Sequence, residues 1–280
     1  MSFRHLIITR FNIRIDRDSE YVLTDEWMRA RLSLFEQYCL PSVIAQTCHD
    51  FTWLVLMSKD TATAFRQRMA VLSQKCPMMR ILDVQPTTDL STFYQQLVQQ
   101  YARDVDYLLT TRLDNDDMLA RTYVEDVQRI VAECTTFPMI ISFAHGVQLF
   151  IQNQVALTMR WPANHFISMI EVNDGACRSV LGYSHIEIAK WVKMRIVKTI
   201  YPMWGEIVHS CNVVNDFTPY VRTTPARYAE LPFPGEWSMY LRVWHNGISR
   251  VRYWLRFRLR TVRKVFARCA RILGLNLGAK

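Results

Sequence analysis

The chain predicts an α/β fold built on a mostly parallel, Rossmann-type sheet with helices on both faces. Short β-branched or apolar runs alternate with helical stretches through about the first 120 residues, the order of strand–helix–strand units. One of these runs, Phe51-Thr52-Trp53-Leu54-Val55-Leu56-Met57, is nearly continuous in apolar residues, as strands covered on both sides are. A chain of 280 residues, 50% hydrophobic and 21% charged, is also ample for one sizeable core.

Taken in order, His5-Leu6-Ile7-Ile8-Thr9 is the first strand and ends in Arg10-Phe11-Asn12. A helix follows from about Asp25 to Tyr38, with Thr24 as its cap and Trp27, Leu32, Leu34 and Phe35 supplying apolar positions. Pro41 opens a short helical segment, and residues 51–57 form the second strand. Thr61 to Gln74 reads as a helix, Met79 to Val84 as the third strand, and Leu90 to Tyr101 as a helix with Phe93, Leu97 and Val98 at helical spacing. Tyr107-Leu108-Leu109-Thr110 is the fourth strand. Beyond a helix at about Ala120 to Ala132, the runs 139–143 and 148–151 suggest a hairpin, and Val155 to Trp161 a further strand. Residues 161–167 read as a loop returning to the sheet. The pattern divides the chain into a main domain over 1–218, a proline- and aromatic-rich connection over 219–248, and a tail over 249–280.

The net charge of +9 belongs to that tail. Residues 250–280 hold ten Lys/Arg and no Asp or Glu, so the rest of the chain is close to neutral. The seven cysteines are scattered, odd in number and form no CxxC pair, which argues for free thiols in a reducing compartment and against a structural zinc site. No secretory signal and no run long enough to cross a bilayer is visible, so the expected address is cytoplasmic.

The chemistry gathers at Thr111-Arg112-Leu113-Asp114-Asn115-Asp116-Asp117, directly after the fourth strand. Three carboxylates within four positions repel one another unless a cation or solvent sits among them. Ligands collect at the carboxyl ends of strands in open α/β sheets, and a carboxylate cluster there suits Mg²⁺ or Mn²⁺. The alternative is an acidic turn in which one Asp caps the next helix. With eight glycines in all, the chain has no GxGxxG after its first strand and no GxxxxGK[ST] anywhere. A glycine-cradled nucleotide is therefore disfavoured, and a carboxylate-bound metal is the other way to hold a diphosphate.

Thr9-Arg10-Phe11-Asn12 and Arg112-Leu113-Asp114-Asn115-Asp116-Asp117 resemble the opening segment and the DxD motif of nucleotide-sugar glycosyltransferases with the GT-A fold. Leu34-Phe35-Glu36, Cys39-Leu40-Pro41-Ser42, Phe51-Thr52-Trp53-Leu54 and Trp204-Gly205, with His209 and Asn212, extend the similarity to the rhamnosyltransferase group of bacterial GT-A enzymes, over about residues 3 to 215. The resemblance implies a GT-A-like fold. It places Thr9 and Phe11, with Arg10 between them, at the donor's base and ribose, Asp114 near the ribose, and Arg112 near the diphosphate or paired with Asp117. It implies a metal held by Asp116, with Asp117 and His209 as further ligands. Where such enzymes carry an acidic base-reading residue after the second strand, this chain has Ser58-Lys59-Asp60, so Asp60 takes that place or the role is absent.

For an inverting member the acceptor hydroxyl needs a carboxylate base. Glu171 is favoured over Asp174, because it follows an apolar run directly; His185 is another polar candidate. In the tail, Val251, Leu255, Val262, Phe266, Cys269 and Leu273 recur at helical spacing among arginines, the pattern of a basic amphipathic helix lying on a membrane surface. A helix packed on the domain and a nucleic-acid contact are the other readings of the tail, and no recognition motif supports the last. The function expected is transfer of a sugar, rhamnose by resemblance, from a nucleotide-sugar donor to a glycan or lipid-linked acceptor, by a peripheral protein of the inner membrane face. The alternative is a non-catalytic adaptor that keeps the fold and binds a membrane or partner through its tail.

Overall fold

In the computed structural model, residues 1–13, 19–85, 88–151, 155–175, 177–182 and 188–209 are described, with short pieces at 223–225 and 233–234. The tail, His185, Asn212 and most of the 219–248 connection lie outside the described residues.

The first half follows the predicted alternation: β1 (Phe3–Arg10), α1 (Asp25–Leu34), α2 (Leu40–Ile44), β2 (Thr52–Ser58), α3 (Thr63–Ser73), β3 (Met79–Val84), α4 (Leu90–Tyr101) and β4 (Tyr107–Arg112). Thr24 caps α1 as expected, its Oγ1 accepting from the Trp27 N–H at 3.4 Å. A wide π-type turn, Phe35–Cys39, joins α1 to α2. Then come β5 (Met118–Leu119), α5 (Tyr123–Ala132), β6 (Met139–Phe143), β7 (His145–Phe150), β8 (Val155–Arg160), β9 (Ile167–Val172), α6 (Ile188–Trp191), β10 (Lys193–Val197), β11 (Trp204–Val208) and β12 (Thr223–Pro225).

Seven strands form the main sheet in the order β10-β6-β9-β4-β1-β2-β3. All its pairings are parallel except those of β9, which runs antiparallel to both β4 and β6. Alternate strand residues go to opposite layers. Leu6, Ile8, Leu54, Leu56 and Leu108 pack with Tyr94, Leu97 and Val98 of α4, while Ile7, Trp53, Val55, Met57 and Leu109 pack with residues of α1, α2 and α5. Helices thus cover both faces, and the apolar run 51–57 is buried on both, as its composition demands.

The predicted hairpin is not formed. A single residue, Ala144, separates β6 from β7, too few to reverse a chain, so the strand bends and passes into a second sheet. That sheet has the order β12-β8-β7-β11-β5, and the antiparallel partner of β7 is β8. The bend is sealed by Trp204, whose ring occupies the space where a side chain at Gly146 would stand, an added Cβ falling 2.2 Å from it.

A buried polar row crosses the main sheet. Gln128 Nε2 donates to His5 Nδ1 (3.2 Å), leaving His5 Nε2–H for Thr111 Oγ1 (2.8 Å). Thr111 Oγ1 bonds Ser168 Oγ at 2.6 Å, which meets the Tyr123 hydroxyl (3.2 Å), and that hydroxyl donates to the Phe166 carbonyl (3.0 Å). Burial pushes His5 down to about 3, so it is a neutral link in the row. Among the described residues, Cys39, Cys48, Cys76, Cys134 and Cys177 are free thiols, and no helix is long and apolar enough to cross a membrane.

Candidate functional site

Because β4, β1 and β2 are parallel neighbours, their carboxyl ends meet at one edge. Ile8 stands opposite Arg112 and Arg10 opposite Leu56, so the segments after the three strands lie side by side. Asn115 stitches two of them, its Nδ2 donating to the Phe11 carbonyl (2.7 Å) while its Oδ1 accepts from Arg31 Nη1 (3.1 Å). Asn12 joins the third, its Oδ1 accepting from the Ser58 N–H at 3.1 Å.

The acidic run turns on itself, the Asp117 N–H reaching back to the Asp114 carbonyl (3.3 Å). Positions i and i+3 of a turn share a side. Asp114 and Asp117 accordingly converge with His165, one ligand atom from each lying within 4.8 Å of the others. Asp116 goes elsewhere, to an ion pair with Arg31 of α1 and a 2.9 Å contact with His209 Nε2. The sequence grouped Asp116, Asp117 and His209; the turn geometry groups Asp114, Asp117 and His165.

Each carboxylate has its own electrostatics. Burial pushes the Asp114 carboxyl up, but the Arg112 guanidinium, bonded to both its oxygens (3.1 and 2.8 Å), holds it well below the usual range. Arg10 adds its field there. Burial and the neighbouring Asp116 and Asp114 drive Asp117 well above the ordinary value, although its Oδ1 accepts from the Ile207 N–H at 3.0 Å. His165, at 3.1 Å from Asp117 Oδ2, is lowered by burial, which leaves the neutral imidazole that binds metals. The donor set fits a divalent cation. Two carboxylates and a neutral imidazole bring ligand atoms within 4.8 Å of one another, and an added positive charge relieves Asp117.

The other predicted residues are distributed unevenly. Thr9 and Phe11 are buried: Thr9 Oγ1 accepts from the Trp53 indole at 2.9 Å, and Phe11 packs edge-on against Phe35. Arg10 is half-buried at the rim, and Asp60 is exposed just past β2. Glu171 is not brought to the site. It pairs with Leu108, four residues and about 13 Å of strand back from Arg112. There its carboxylate accepts the Arg178 and Ser179 N–H groups at 3.2 and 3.0 Å. Burial raises it, but it caps a loop at the opposite edge of the sheet, because β9 runs antiparallel and carries it away. Asp174 follows at the same end. The residue left beside the acidic turn is His165, two positions before β9 begins.

Three residues were not anticipated. His165 carries no spacing signal. Arg31 does, since positions 27, 31 and 34 lie on the buried face of α1, and an arginine at such a position needs a buried partner. The third is Glu206 of β11, buried, its Oε2 accepting from Gln148 Nε2 at 2.6 Å. Burial lifts it to about 7, with Asp117 adding repulsion and His165 opposing it. Among the described residues it forms no ion pair with Lys or Arg.

Comparison with solved structures returns S. aureus TarS. Its 1–349 fragment is 11% identical with a TM-score of 0.40, covering 74% of this chain and 60% of that one. The same fragment in complex with UDP gives 10% identity and 0.42, covering 74% and 61%. The chain thus spans about 60% of the length of those structures. No curated protein matches. The profile of the family described as "Putative rhamnosyl transferase" matches residues 4–219. With most of its 280 residues inside that match, the chain belongs to this rhamnosyl transferase family.

Proposed function

We propose that the chain is a glycosyltransferase that moves a sugar, rhamnose by its family, from a nucleoside-diphosphate donor to a glycan or lipid-linked acceptor with inversion. The observation that carries the proposal is the convergence of Asp114, Asp117 and His165 at the carboxyl ends of the parallel strands, flanked by Arg10 and Arg112. In this reading Asp114, Asp117 and His165 hold Mn²⁺ in preference to Mg²⁺, since an imidazole among the donors suits the softer ion. Bound there, the cation supplies Lewis-acid stabilisation of the departing diphosphate.

The protein's own groups do the rest. Arg112, fixed by both oxygens of Asp114, and Arg10 present positive charge where phosphate oxygens gain negative charge. Asp116 does not face the donor; with Arg31 and His209 it fixes the turn from behind. Asp60 and the Ser58 to Asp60 segment border the base. Glu206 replaces Glu171 as the carboxylate that receives the acceptor's proton, because it lies on the strand whose next N–H binds Asp117. The basic tail supports attachment to the cytoplasmic membrane face, where a lipid-linked acceptor would be met.

Isothermal titration of the full chain with nucleoside-diphosphate rhamnoses, with and without Mn²⁺, tests the reading. Micromolar binding that needs Mn²⁺ and vanishes in Asp117→Asn is the outcome expected. Absence of binding to every such donor would instead favour an adaptor that has kept the fold.

A further inference from the structure

The loop from Trp161 to Phe166 is built with unusual completeness for a connection. Asn164, 1% exposed, sits at its centre. Its Nδ2 donates to the carbonyls of Trp161 (2.8 Å) and Phe143 (2.9 Å) and to Ser142 Oγ (3.2 Å), and its Oδ1 accepts from the Phe166 N–H (2.8 Å). Ser142 Oγ donates to the Pro162 carbonyl (2.7 Å), and the Trp161 N–H to that of Ala144 (2.7 Å). Both ends and the middle are therefore tied to the end of β6.

What this fixed loop presents is an aromatic residue packed on the edge of the core and only partly buried there. Packing at the corner is supplied by Trp204, 0% exposed, stacked on Phe166 with ring centroids 4.7 Å apart. Trp161 stands edge-on to Trp204 (6.5 Å) and to His165 (6.0 Å) and is half-buried, with Pro162 and Ala163 exposed beside it. His165 in turn touches Asp117. A partly exposed indole on a tied-down loop, in ring contact with the His165 that touches Asp117, suits the apolar C–H face of a pyranose, which packs on aromatic rings as other apolar surfaces do.

We propose that Trp161 is the stacking platform for the acceptor's terminal pyranose. This rests on the glycosyltransferase reading and adds to it the place and chemical class of the acceptor contact. The donor side lies across the turn at Arg10 and Arg112, so the platform acts on acceptor binding alone.

The test uses the full chain with Mn²⁺ and a nucleoside-diphosphate rhamnose, measuring donor hydrolysis by water and transfer to methyl rhamnopyranoside and methyl glucopyranoside. Trp161→Ala is expected to leave hydrolysis and donor KM within about twofold while raising glycoside KM by about tenfold, the worth of one aromatic contact. Trp161→Phe is expected to recover most of that loss. Unchanged glycoside KM in Trp161→Ala, or equal loss of hydrolysis and transfer, overturns the proposal. A second measurement does not depend on that variant folding or on activity. In 5-fluorotryptophan-labelled protein, the ¹⁹F resonance missing from Trp161→Phe is expected to shift as the glycosides are added, and a resonance unmoved at saturating glycoside overturns the platform. A wild-type chain that neither binds nor hydrolyses any donor sinks the glycosyltransferase reading, while the fluorine signal still reports on Trp161.

Discussion

The backbone N–H of Ile207 donates to Asp117 Oδ1 at 3.0 Å, across ninety positions of sequence. With Gly205 and Trp204 pairing Met118 and Leu119, it ties the smaller sheet to the acidic turn, so the candidate site has walls from both sheets.

If Asp114, Asp117 and His165 are the ligands, substitutions in the run separate by position. Asp117→Asn and His165→Ala are expected to weaken Mn²⁺ binding by about 10- to 100-fold, the usual cost of disturbing a ligand or its support. Asp116→Asn is expected to stay within about threefold of wild type on the same scale. Titration followed by the electron paramagnetic resonance of free Mn²⁺ reads both. The reverse order would return the metal to Asp116.

Asp116→Asn acts on stability instead. It takes the carboxylate away from the Arg31 guanidinium, which lies beneath the turn with its side chain 9% exposed and keeps the neutral Asn115 Oδ1 as an acceptor. Breaking a buried pair from one side costs about 3 kcal/mol or more, and urea denaturation should show it. Arg31→Met added to Asp116→Asn is expected to recover most of the loss, because no charge is then left unpaired.

Gly146→Ala places a methyl group 2.2 Å from the Trp204 ring. Phe166 stacks on the same ring with centroids 4.7 Å apart, which limits where the ring can move. Overpacking of this kind costs about 1–3 kcal/mol, seen as a fall in Tm, with near-ultraviolet circular dichroism reporting the displaced indole.

His5 makes the fold sensitive to acid. Its folded value, about 3, lies below the unfolded 6.5, so the unfolded chain binds a proton that the folded chain refuses. Its contribution is complete above pH 6.5 and is lost as pH falls toward 3. Between pH 7.5 and 5 the loss is about 2 kcal/mol at 1.36 kcal/mol per unit. Stability curves by denaturant at the two pH values should differ by that much more in wild type than in His5→Gln.

Much of the first half was legible because both of its signals are local. The runs 5–9, 51–57 and 79–84 became parallel strands, and Thr24 caps the helix it precedes. The break comes at Ala144, where two strands follow one another with no turn residue between them; periodicity records that each is a strand but not that they part into different sheets. The candidate site shows the same limit. That Asp114 to Asp117 would stand at a strand end was readable from the apolar stretch before it. Which carboxylates face which way depends on the turn, and His165 joins them because β9 runs antiparallel, a property of pairing and not of composition. Glu171 was chosen for its place at the end of an apolar run, and the same antiparallel direction carries that end away.

The bond from Ile207 also has a consequence for the order in which the protein is made. Synthesis proceeds from residue 1, so all three aspartates are out of the ribosome well before Ile207 and His209. Until those arrive, Asp117 has no backbone donor from β11 and Asp116 lacks its contact with His209. The half-made chain therefore carries the whole acidic motif without a finished pocket, and the site closes only when the strand 204–208 docks. If the proposed metal reading holds, chains cut off before that strand carry every residue of the motif and should bind Mn²⁺ more weakly than the full chain.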